Sequence, residues 1–599
     1  MTRTLPSPVA AGPDERFGPR LWGLLLVLAG NMLIDALEVS VAVVALPAIG
    51  TDLGQPPTVT QWAMTGFAAG FGGLLLFGAR VVTLLGRRRV YLAALLAFAA
   101  ASALSALAQD PWLLLTTRLL KGFCAALTAP TGLAIITTTF PEGRPRSRAV
   151  SVYTLFGAGG FTAGLLLSGW LTETSWRWAF AFPAPVVLLL FACGLRLIPG
   201  EALDAPKAPS VPARGEESVP KGPSIPAGGA GSTPKGPSVP ARGAESVPKG
   251  PSIPAGGTGS AQKGPSVPAR GAESVPKGPS IPAGGAGSAQ KGPSIPAGGA
   301  ESAPKGRGEL RDQPPRRRSR TTTRHFGIPA ALTFLGALLT LVQGITQLPT
   351  HNWTDPAAIA PLTAAALLLL AFWQIERRSA APLLNIGPLR SNPALLRSAA
   401  GAACLNGSYL GLLFVLTYQT QTLAGWSPLH TALALLPAAA PPALTALASG
   451  RLVAKFGAPR LIVAGAACAF AGGLLQLRPH PWPLDYPGRM LPTLLLVGAA
   501  FVLSFAALNM QAMSRLTPAD RLTGSGLYQT AVQLAAVLAV ALVAALLAAH
   551  APAPGAGPAA AAAACRPALT LVAALGLLGL FVGLTGLIRT PPSSLHHGE

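Results

Sequence analysis

Two acidic residues lie inside an apolar run, residues 34–47, which read IDALEVSVAVVALP. Asp35 and Glu38 are three positions apart, so on a helix they share one face. A carboxylate in apolar surroundings is costly unless it is paired with a cation, protonated or used in function. The stretch therefore indicates either ion pairs that fix helix packing or an acid that takes up and releases a proton.

Two basic residues interrupt another apolar block, in residues 118–127, which read RLLKGFCAAL. Arg118 and Lys121 have the same spacing and also share a helix face. Glu38 and Arg118 lie about 13 Å and about 12 Å from the outer ends of their helices, which predicts that they pair. Asp35 and Lys121 lie at about 18 Å and about 16 Å, which predicts a second pair. Asp35 then either shares the proton with Glu38 or only balances Lys121.

The composition of the chain is typical of a membrane protein. Of its 599 residues 50% are hydrophobic and 11% are charged, whereas a soluble globular chain has about 25% charged residues. The apolar residues form blocks of about 20, the length that crosses a bilayer as a helix. The net charge of +23 does not indicate nucleic acid, because the basic residues lie between apolar blocks or in a polar central stretch. The chain is predicted to be an all-α integral membrane protein.

Fourteen transmembrane helices are predicted. They cover residues 21–46, 59–79, 90–108, 112–138, 149–171, 177–198, 328–347, 357–375, 398–418, 431–450, 461–477, 491–513, 524–549 and 567–588. With the N terminus inside, the inner loops and tails carry 20 basic residues and the outer loops carry 4, with the long linker left out. The positive-inside rule therefore predicts that both termini lie in the cytoplasm.

Residues 199–327 separate the sixth span from the seventh and differ from both bundles in composition. Lysine recurs every 14 residues from Lys207 to Lys305, in units rich in Pro, Gly and Ser. These units have too few apolar residues to form a core, so the stretch is predicted to be a disordered cytoplasmic linker. It is either a docking arm for a partner or an expanded repeat that is tolerated because it is solvated, and the second interpretation is favoured.

Three stretches resemble the signatures of one family. GARVVTLLGRRRV, residues 78–90, resembles the loop signature of the major facilitator superfamily, with Thr83 where the family has an acid. RLLKGFCAAL is similar to the family's Arg-x-x-Gln-Gly pattern, with Lys121 in place of Gln. GAGGFTAGLLLSGWL, residues 157–171, is similar to the antiporter signature, with Leu165 where proline is expected. The chain thus resembles the fourteen-helix drug:proton antiporters of this superfamily.

The resemblance implies a major facilitator fold of two six-helix bundles with two helices inserted between them. A fainter copy of the loop signature, GRLVAKFGAPR at 450–460, fits a carrier built from related halves. The implied division is an N-terminal arm, an N-terminal bundle, the linker, the inserted helices, a C-terminal bundle and a tail, at 1–20, 21–198, 199–327, 328–375, 398–588 and 589–599.

The resemblance also implies export of hydrophobic or cationic small molecules, such as drugs and antibiotics, in exchange for protons by alternating access. Glu38 occupies the position of the family's first-span acid, nine residues before Pro47, and Asp35 is additional. The expected setting is a bacterial inner membrane, with lipid, a small-molecule substrate and protons as partners and no nucleic acid. Two alternatives stay open: a carrier of the same fold without proton antiport, which Thr83 and Leu165 suggest, and a non-transporting membrane scaffold or sensor.

Further residues have roles implied by their positions. The set that the resemblance assigns to the gating loop and to helix packing is Gly78, Arg80, Gly86, Arg87, Arg88, Gly160 and Gly164. Six polar residues either line a substrate cavity or form interhelical hydrogen bonds, namely Asn406, Tyr409, Asn509, Gln511, Gln529 and Gln533. Pro437, Pro441 and Pro442 predict a kink in the tenth span. No catalytic residue, cofactor or metal site is predicted, since the five cysteines are scattered singly.

Overall fold

The computed structural model describes residues 17–199 and 327–588, apart from short gaps at 350, 352–354, 380–381, 386, 479–483, 518–519 and 554. Within those residues the regular structure is helical throughout. The predicted N-terminal arm, linker and C-terminal tail fall almost wholly outside them.

The helices of the N-terminal part are α1 Pro19–Leu53, α2 Pro57–Thr60, α3 Trp62–Leu85, α4 Arg87–Ala106, α5 Pro111–Thr139, α6 Arg144–Thr174, α7 Trp176–Ala181 and α8 Pro183–Leu197. The inserted pair is α9 Ile328–Gln347 and α10 Pro356–Arg378. The C-terminal part has α11 Gly387–Ser391, α12 Pro393–Thr417, α13 Pro428–Thr445, α14 Ser449–Phe456, α15 Ala458–Gln476, α16 Leu491–Met513, α17 Arg521–Ala549, α18 Pro558–Ala564 and α19 Arg566–Ile588. A π-helical turn, Tyr418–Leu423, extends α12, and another, Tyr486–Met490, precedes α16.

In this part of the chain, 13 helical segments are long and apolar enough to cross a membrane, and α13 with α14 makes a fourteenth. The two helices of that pair are bent by 79°. Pro441 and Pro442 lie just before the bend, and each lacks the amide that would donate to the preceding turn. The predicted span number and the predicted kink are both confirmed. α6 is one helix through Leu165.

The two halves repeat one local geometry. Gly86 separates α3 from α4 with φ 91° and ψ 142°, and Gly457 separates α14 from α15 with φ 80° and ψ 141°. A positive φ favours glycine because it has no Cβ. The loop signature and its fainter copy therefore make the same turn, as expected of related halves.

Among the described residues, one apolar core cluster is shared by the two bundles, and it lies at one end of them. We call the side on which α1 begins the proximal side and the side on which it ends the distal side. On the distal side a single cluster contains residues 41–46 of α1 and 412–416 of α12. On the proximal side the bundles have separate clusters, around residues 24–34 of α1 and around 395–405 of α12. The distal halves of the two bundles therefore share one apolar core, whereas the proximal clusters stay separate and the bundles meet there in smaller contacts, such as that of Leu76 on α3 with Gly526 on α17.

Polar contacts reinforce the distal closure. The side-chain amide of Gln421 donates to the carbonyl oxygen of Val44 at 3.0 Å. The backbone amide of Leu429, in the first turn of α13, donates to the Glu173 carboxylate of α6 at 2.9 Å. A carboxylate at a helix N terminus is favourable because the free amides there carry partial positive charge. These contacts join the two bundles at the distal end.

Two glycines predicted to serve packing hold α6 against α1. A methyl group at Gly160 would lie 2.4 Å from the carbonyl oxygen of Leu33. One at Gly164 would lie 2.1 Å from Ser40 Oγ and 2.8 Å from the carbonyl oxygen of Leu37. Backbone cannot yield as a flexible side chain does, so this close approach of the helices depends on glycine.

Replacing Gly164 by alanine is expected to destabilise the N-terminal bundle by about 1–3 kcal/mol, because overpacking forces the helices apart. The measurement is the thermal midpoint of the purified protein in detergent. Gly159→Ala is the matched control on the same helix, since nothing lies within 4 Å of a methyl group there. An unchanged midpoint for Gly164→Ala would contradict the packing role.

Candidate functional site

A buried ionic cluster lies near the middle of the N-terminal bundle. Glu38 of α1 forms ion pairs with both Arg118 and Lys121 of α5, and all three side chains are 0% exposed. Arg118 also donates from Nη2 to the carbonyl oxygen of Glu38 at 2.9 Å and from Nε to the carbonyl oxygen of Ala63 on α3. The cluster therefore ties α1, α3 and α5 together.

The partner of Lys121 differs from the prediction. The predicted pair of Glu38 with Arg118 is confirmed, but the predicted pair of Asp35 with Lys121 is wrong, because Lys121 binds Glu38 instead. The similar depth of Lys121 and Asp35 did not determine which acid Lys121 binds. A lysine side chain is long and flexible, so it reaches an acid one helical turn away as readily as one at its own depth.

Aromatic rings surround the two cations. Arg118 Cζ lies 5.0 Å from the ring centroid of Phe67 and 5.4 Å from that of Phe180. Lys121 Nζ lies 5.2 Å from the centroid of Phe98 and 5.7 Å from that of Phe180. The electron-rich faces of these rings partly compensate the cations for lost water. Sequence reasoning missed the rings, because they lie on three helices and only the fold brings them together.

Asp35 has a different environment from Glu38. It is 5% exposed, and its Oδ2 accepts hydrogen bonds from Asn31 Nδ2 at 3.0 Å and Thr128 Oγ1 at 3.1 Å. Among the described residues its Oδ1 has no hydrogen-bond partner. The i, i+4 spacing of Asn31 and Asp35 could have revealed the first contact from the sequence, whereas Thr128 comes from α5. The two acids are thus held by different kinds of group.

The predicted loop residues contact neighbouring segments on the proximal side. The Arg80 guanidinium donates to the carbonyl oxygen of Pro382, which follows the inserted helices. Arg88 Nη2 donates to the carbonyl oxygen of Leu195 near the end of α8, at 2.7 Å. Gly78 faces α5, where an added methyl group would lie 3.0 Å from a carbonyl oxygen. Arg87 is the first residue of α4. The gating role of this loop stays a prediction.

Two of the polar residues proposed for a cavity form interhelical hydrogen bonds, and the cavity role of the others stays a prediction. Asn406 Nδ2 donates to the carbonyl oxygen of Val532 on α17 at 3.0 Å, and Gln511 Oε1 accepts from Ser398 Oγ of α12 at 3.3 Å. Both are interhelical hydrogen bonds. Of the others, Asn509 is exposed, Gln529 half-buried, and Gln533 and Tyr409 buried.

Tyr409 belongs to a row of aromatic rings that sequence reasoning missed. Its ring centroid lies 5.6 Å from that of Phe161 on α6 and 4.5 Å from that of Phe501 on α16. Phe501 stacks in turn on Phe505 at 5.6 Å. Tyr409 is 5% exposed and Phe505 43%. The row therefore begins at the buried junction of the bundles and ends at an exposed ring.

Two helical bundles with a shared distal core, separate proximal cores and a buried charge cluster define a two-bundle membrane carrier. Residues 28–540 match the sequence profile of the Major Facilitator Superfamily. The chain belongs to this superfamily of transporters.

Similar proteins that are named for antibiotic resistance or export support membership of the same superfamily. The chain is 28% identical over 537 residues to the puromycin resistance protein of Streptomyces alboniger, covering 88% of this chain and 81% of that one. It is 24% identical to the lincomycin resistance protein of Streptomyces lincolnensis, with 86% and 82% covered. It is 35% identical over 178 residues to the cephamycin export protein of Amycolatopsis lactamdurans, with 30% and 36% covered.

Solved structures show the same fold. The inward open xylose transporter XylE from E. coli aligns with a TM-score of 0.50 at 12% identity, covering 96% of this chain and 98% of that one. A bacterial homologue of the human lysosomal transporter Spinster, inward-facing and occupied, aligns with a TM-score of 0.50 at 14% identity, covering 96% and 97%. At these identities the likeness extends to the fold alone.

Proposed function

We propose that this chain exports hydrophobic or cationic small molecules, such as antibiotics, across the cytoplasmic membrane by alternating access in exchange for protons. The observation that carries the proposal is the likeness to the puromycin resistance protein, which extends over 88% of this chain. The lincomycin resistance protein, aligned over 86% of the chain, supports the same class of substrate. A carrier of this superfamily that protects a cell must move its substrate outward.

Charge distribution supports the direction of transport. The loops and tails predicted to lie on the inner side carry 20 basic residues, and the opposite loops carry 4. The positive-inside rule therefore orients the proximal side toward the cytoplasm. The bundles have separate core clusters on that side and share one on the other. This state would receive substrate from the cytoplasm, and closing the proximal side while opening the distal side would release it outside.

The row of aromatic rings is a suitable contact for the substrate. Phe161 belongs to the N-terminal bundle, whereas Tyr409, Phe501 and Phe505 belong to the C-terminal bundle. A planar or cationic molecule against these rings would gain apolar burial and contact with aromatic faces. Because the row includes rings from both bundles, such a molecule would contact both of them at once.

The buried acids of α1 favour proton exchange over an uncoupled carrier. Ionisable residues are expensive within a bilayer and generally mark ion or proton pathways. Asp35 and Glu38 are both buried on one helix of the N-terminal bundle. Without proton exchange, the second acid and the second cation would have no use beyond packing.

Accumulation of puromycin and lincomycin in everted membrane vesicles tests the proposal. With the vesicle interior acidified, vesicles containing the protein are expected to accumulate at least one compound above vesicles without it. An uncoupler should abolish the difference, because it removes the proton gradient. Accumulation that survives the uncoupler would favour the uncoupled carrier, and transport of neither compound nor of a wider panel of drugs would favour the scaffold.

A further inference from the structure

The two acids of α1 differ in what balances their charge. Glu38 has two cations in direct contact, Arg118 and Lys121. Asp35 receives hydrogen bonds only from Asn31 and Thr128, which are neutral donors. The charge of Glu38 is therefore compensated by direct contact with cations, whereas the buried carboxyl group of Asp35 has only neutral donors in contact.

We propose that Asp35, and not Glu38, carries the exchanged proton. The inference rests on the proposed proton exchange and assigns it to one side chain. Its geometric basis is that Asp35 Oδ1 is buried and unpartnered among the residues that the structure describes. A buried oxygen without a partner is costly, and protonation of this carboxyl group removes its charge.

The surroundings of Asp35 contain no competing cation in contact with it, as far as the described residues extend. On its own helix the nearest charged group is Glu38, a like charge. From α5 it faces Thr128 and Cys124, from α4 Tyr91 and from α6 Tyr153. These groups are neutral hydroxyls and a thiol at neutral pH. Asp35 is thus buried away from water, with the like charge of Glu38 one helical turn from it.

An opposing influence keeps the ionised form accessible. Glu38, Arg118 and Lys121 together carry one net positive charge, and all three are fully buried. Ionised Asp35, one helical turn from Glu38, brings the net charge of the group to zero. A carboxyl group subject to both influences changes its protonation state with small changes in hydration or spacing. The opening and closing of the bundles supply such changes.

A second unpartnered oxygen lies close to Asp35. The buried hydroxyl of Tyr91 on α4 has no hydrogen-bond partner in the described part of the chain, and it lies within electrostatic range of Asp35. The hydroxyl of Tyr153 donates instead to the carbonyl oxygen of Ala129 at 2.9 Å. Of these two hydroxyls near Asp35, only that of Tyr91 lacks a partner in the described part of the chain.

Proton release on substrate binding is the direct test. Puromycin, or whichever compound the vesicle assay identifies, is added to purified protein in weakly buffered detergent solution, and the pH is recorded. The wild-type protein is expected to release about one proton for each molecule bound. Asp35→Asn, which has nearly the same shape, is expected to release none and to bind the compound with an affinity that no longer depends on pH.

Transport in vesicles provides the second readout. Asp35→Asn is expected to lose the accumulation driven by the pH gradient, and Asp35→Glu to recover part of it. Thr128→Val retains the acid but removes one donor to the carboxylate, so its transport is expected to have a pH midpoint above that of the wild-type protein. A residue with only a structural role would not shift a pH profile.

Two outcomes would overturn the assignment. One is that the Asp35→Asn variant still releases a proton and still accumulates substrate with the pH gradient, which would place the proton on another group. The other is wild-type transport driven by a sodium gradient and lost in Asp35→Asn, which would make this a sodium site. Failure of the proposed function is a separate result, namely wild-type protein that moves no compound with a pH gradient.

Discussion

Replacing Glu38 by glutamine is expected to cause the largest loss of folded protein of any single change in the N-terminal bundle. The change removes the carboxylate that binds Arg118 and Lys121 and leaves both cations fully buried without an anion in contact. Removal of one partner of a buried ion pair costs about 3–5 kcal/mol. The free energy of unfolding of a domain is usually only about 5–15 kcal/mol, so this loss is a large fraction of it. The measurement is the amount of monodisperse protein after solubilisation, together with its thermal midpoint.

Lys121→Gln is the matched control for this experiment. It retains Glu38 and Arg118 as a pair of one acid and one base, and it restores the residue that the family pattern has at this position. Its abundance and thermal midpoint are expected to stay close to those of the wild-type protein. A double variant, Glu38→Gln with Lys121→Gln, leaves one unbalanced cation instead of two and is expected to fall between the single variants. Full yield and an unchanged midpoint for Glu38→Gln alone would show that the ion pairs contribute little to stability.

Replacing Gly169 by leucine is expected to abolish most transport without loss of folded protein. A methyl group at Gly169 of α6 would lie 2.6 Å from Ala432 Cβ and 3.1 Å from the Leu429 Cα, both on α13. The clash is therefore between the two bundles at the distal closure, and not within one bundle. Overpacking costs about 1–3 kcal/mol, which shifts the balance between distally closed and distally open states by about 5-fold to about 150-fold. Because transport needs both states, the rate falls by a similar factor.

The control for this change is Gly159→Leu. It lies on the same helix, and nothing is within 4 Å of a methyl group there. Both variants should reach the membrane in wild-type amounts, whereas only Gly169→Leu should lose drug accumulation in everted vesicles. Wild-type transport by Gly169→Leu would mean that the distal contact between α6 and α13 is not needed for the cycle.

Span number and fold family were predictable because their signals are local. A transmembrane helix needs about 20 apolar residues in succession, and each block has that property regardless of what it packs against. The kink in the tenth span was predictable for the same reason, since proline lacks an amide wherever it stands. The turn at Gly86 and its copy at Gly457 were likewise visible as repeated glycines in a repeated motif.

The candidate site was only partly predictable. Spacing placed Asp35 and Glu38 on one face of α1, and depth paired Glu38 correctly with Arg118. Depth gave the wrong partner for Lys121, because local packing determines which acid a flexible side chain contacts. The polar residues of the C-terminal bundle carried no signal that separates a cavity from an interhelical hydrogen bond, and Asn406 proved to form the latter.

The amino-acid sequence was therefore enough to predict a membrane carrier of two related bundles, with two acids and two bases buried in the first. Apolar length, repeated motifs and charge spacing are properties of short segments, so they persist whatever the helices contact. Three features became visible only once the helices were packed together: both cations bind Glu38, Asp35 has neutral donors and the bundles share a core at the distal end. Those features depend on side chains from different helices competing for the same space, which no single segment records.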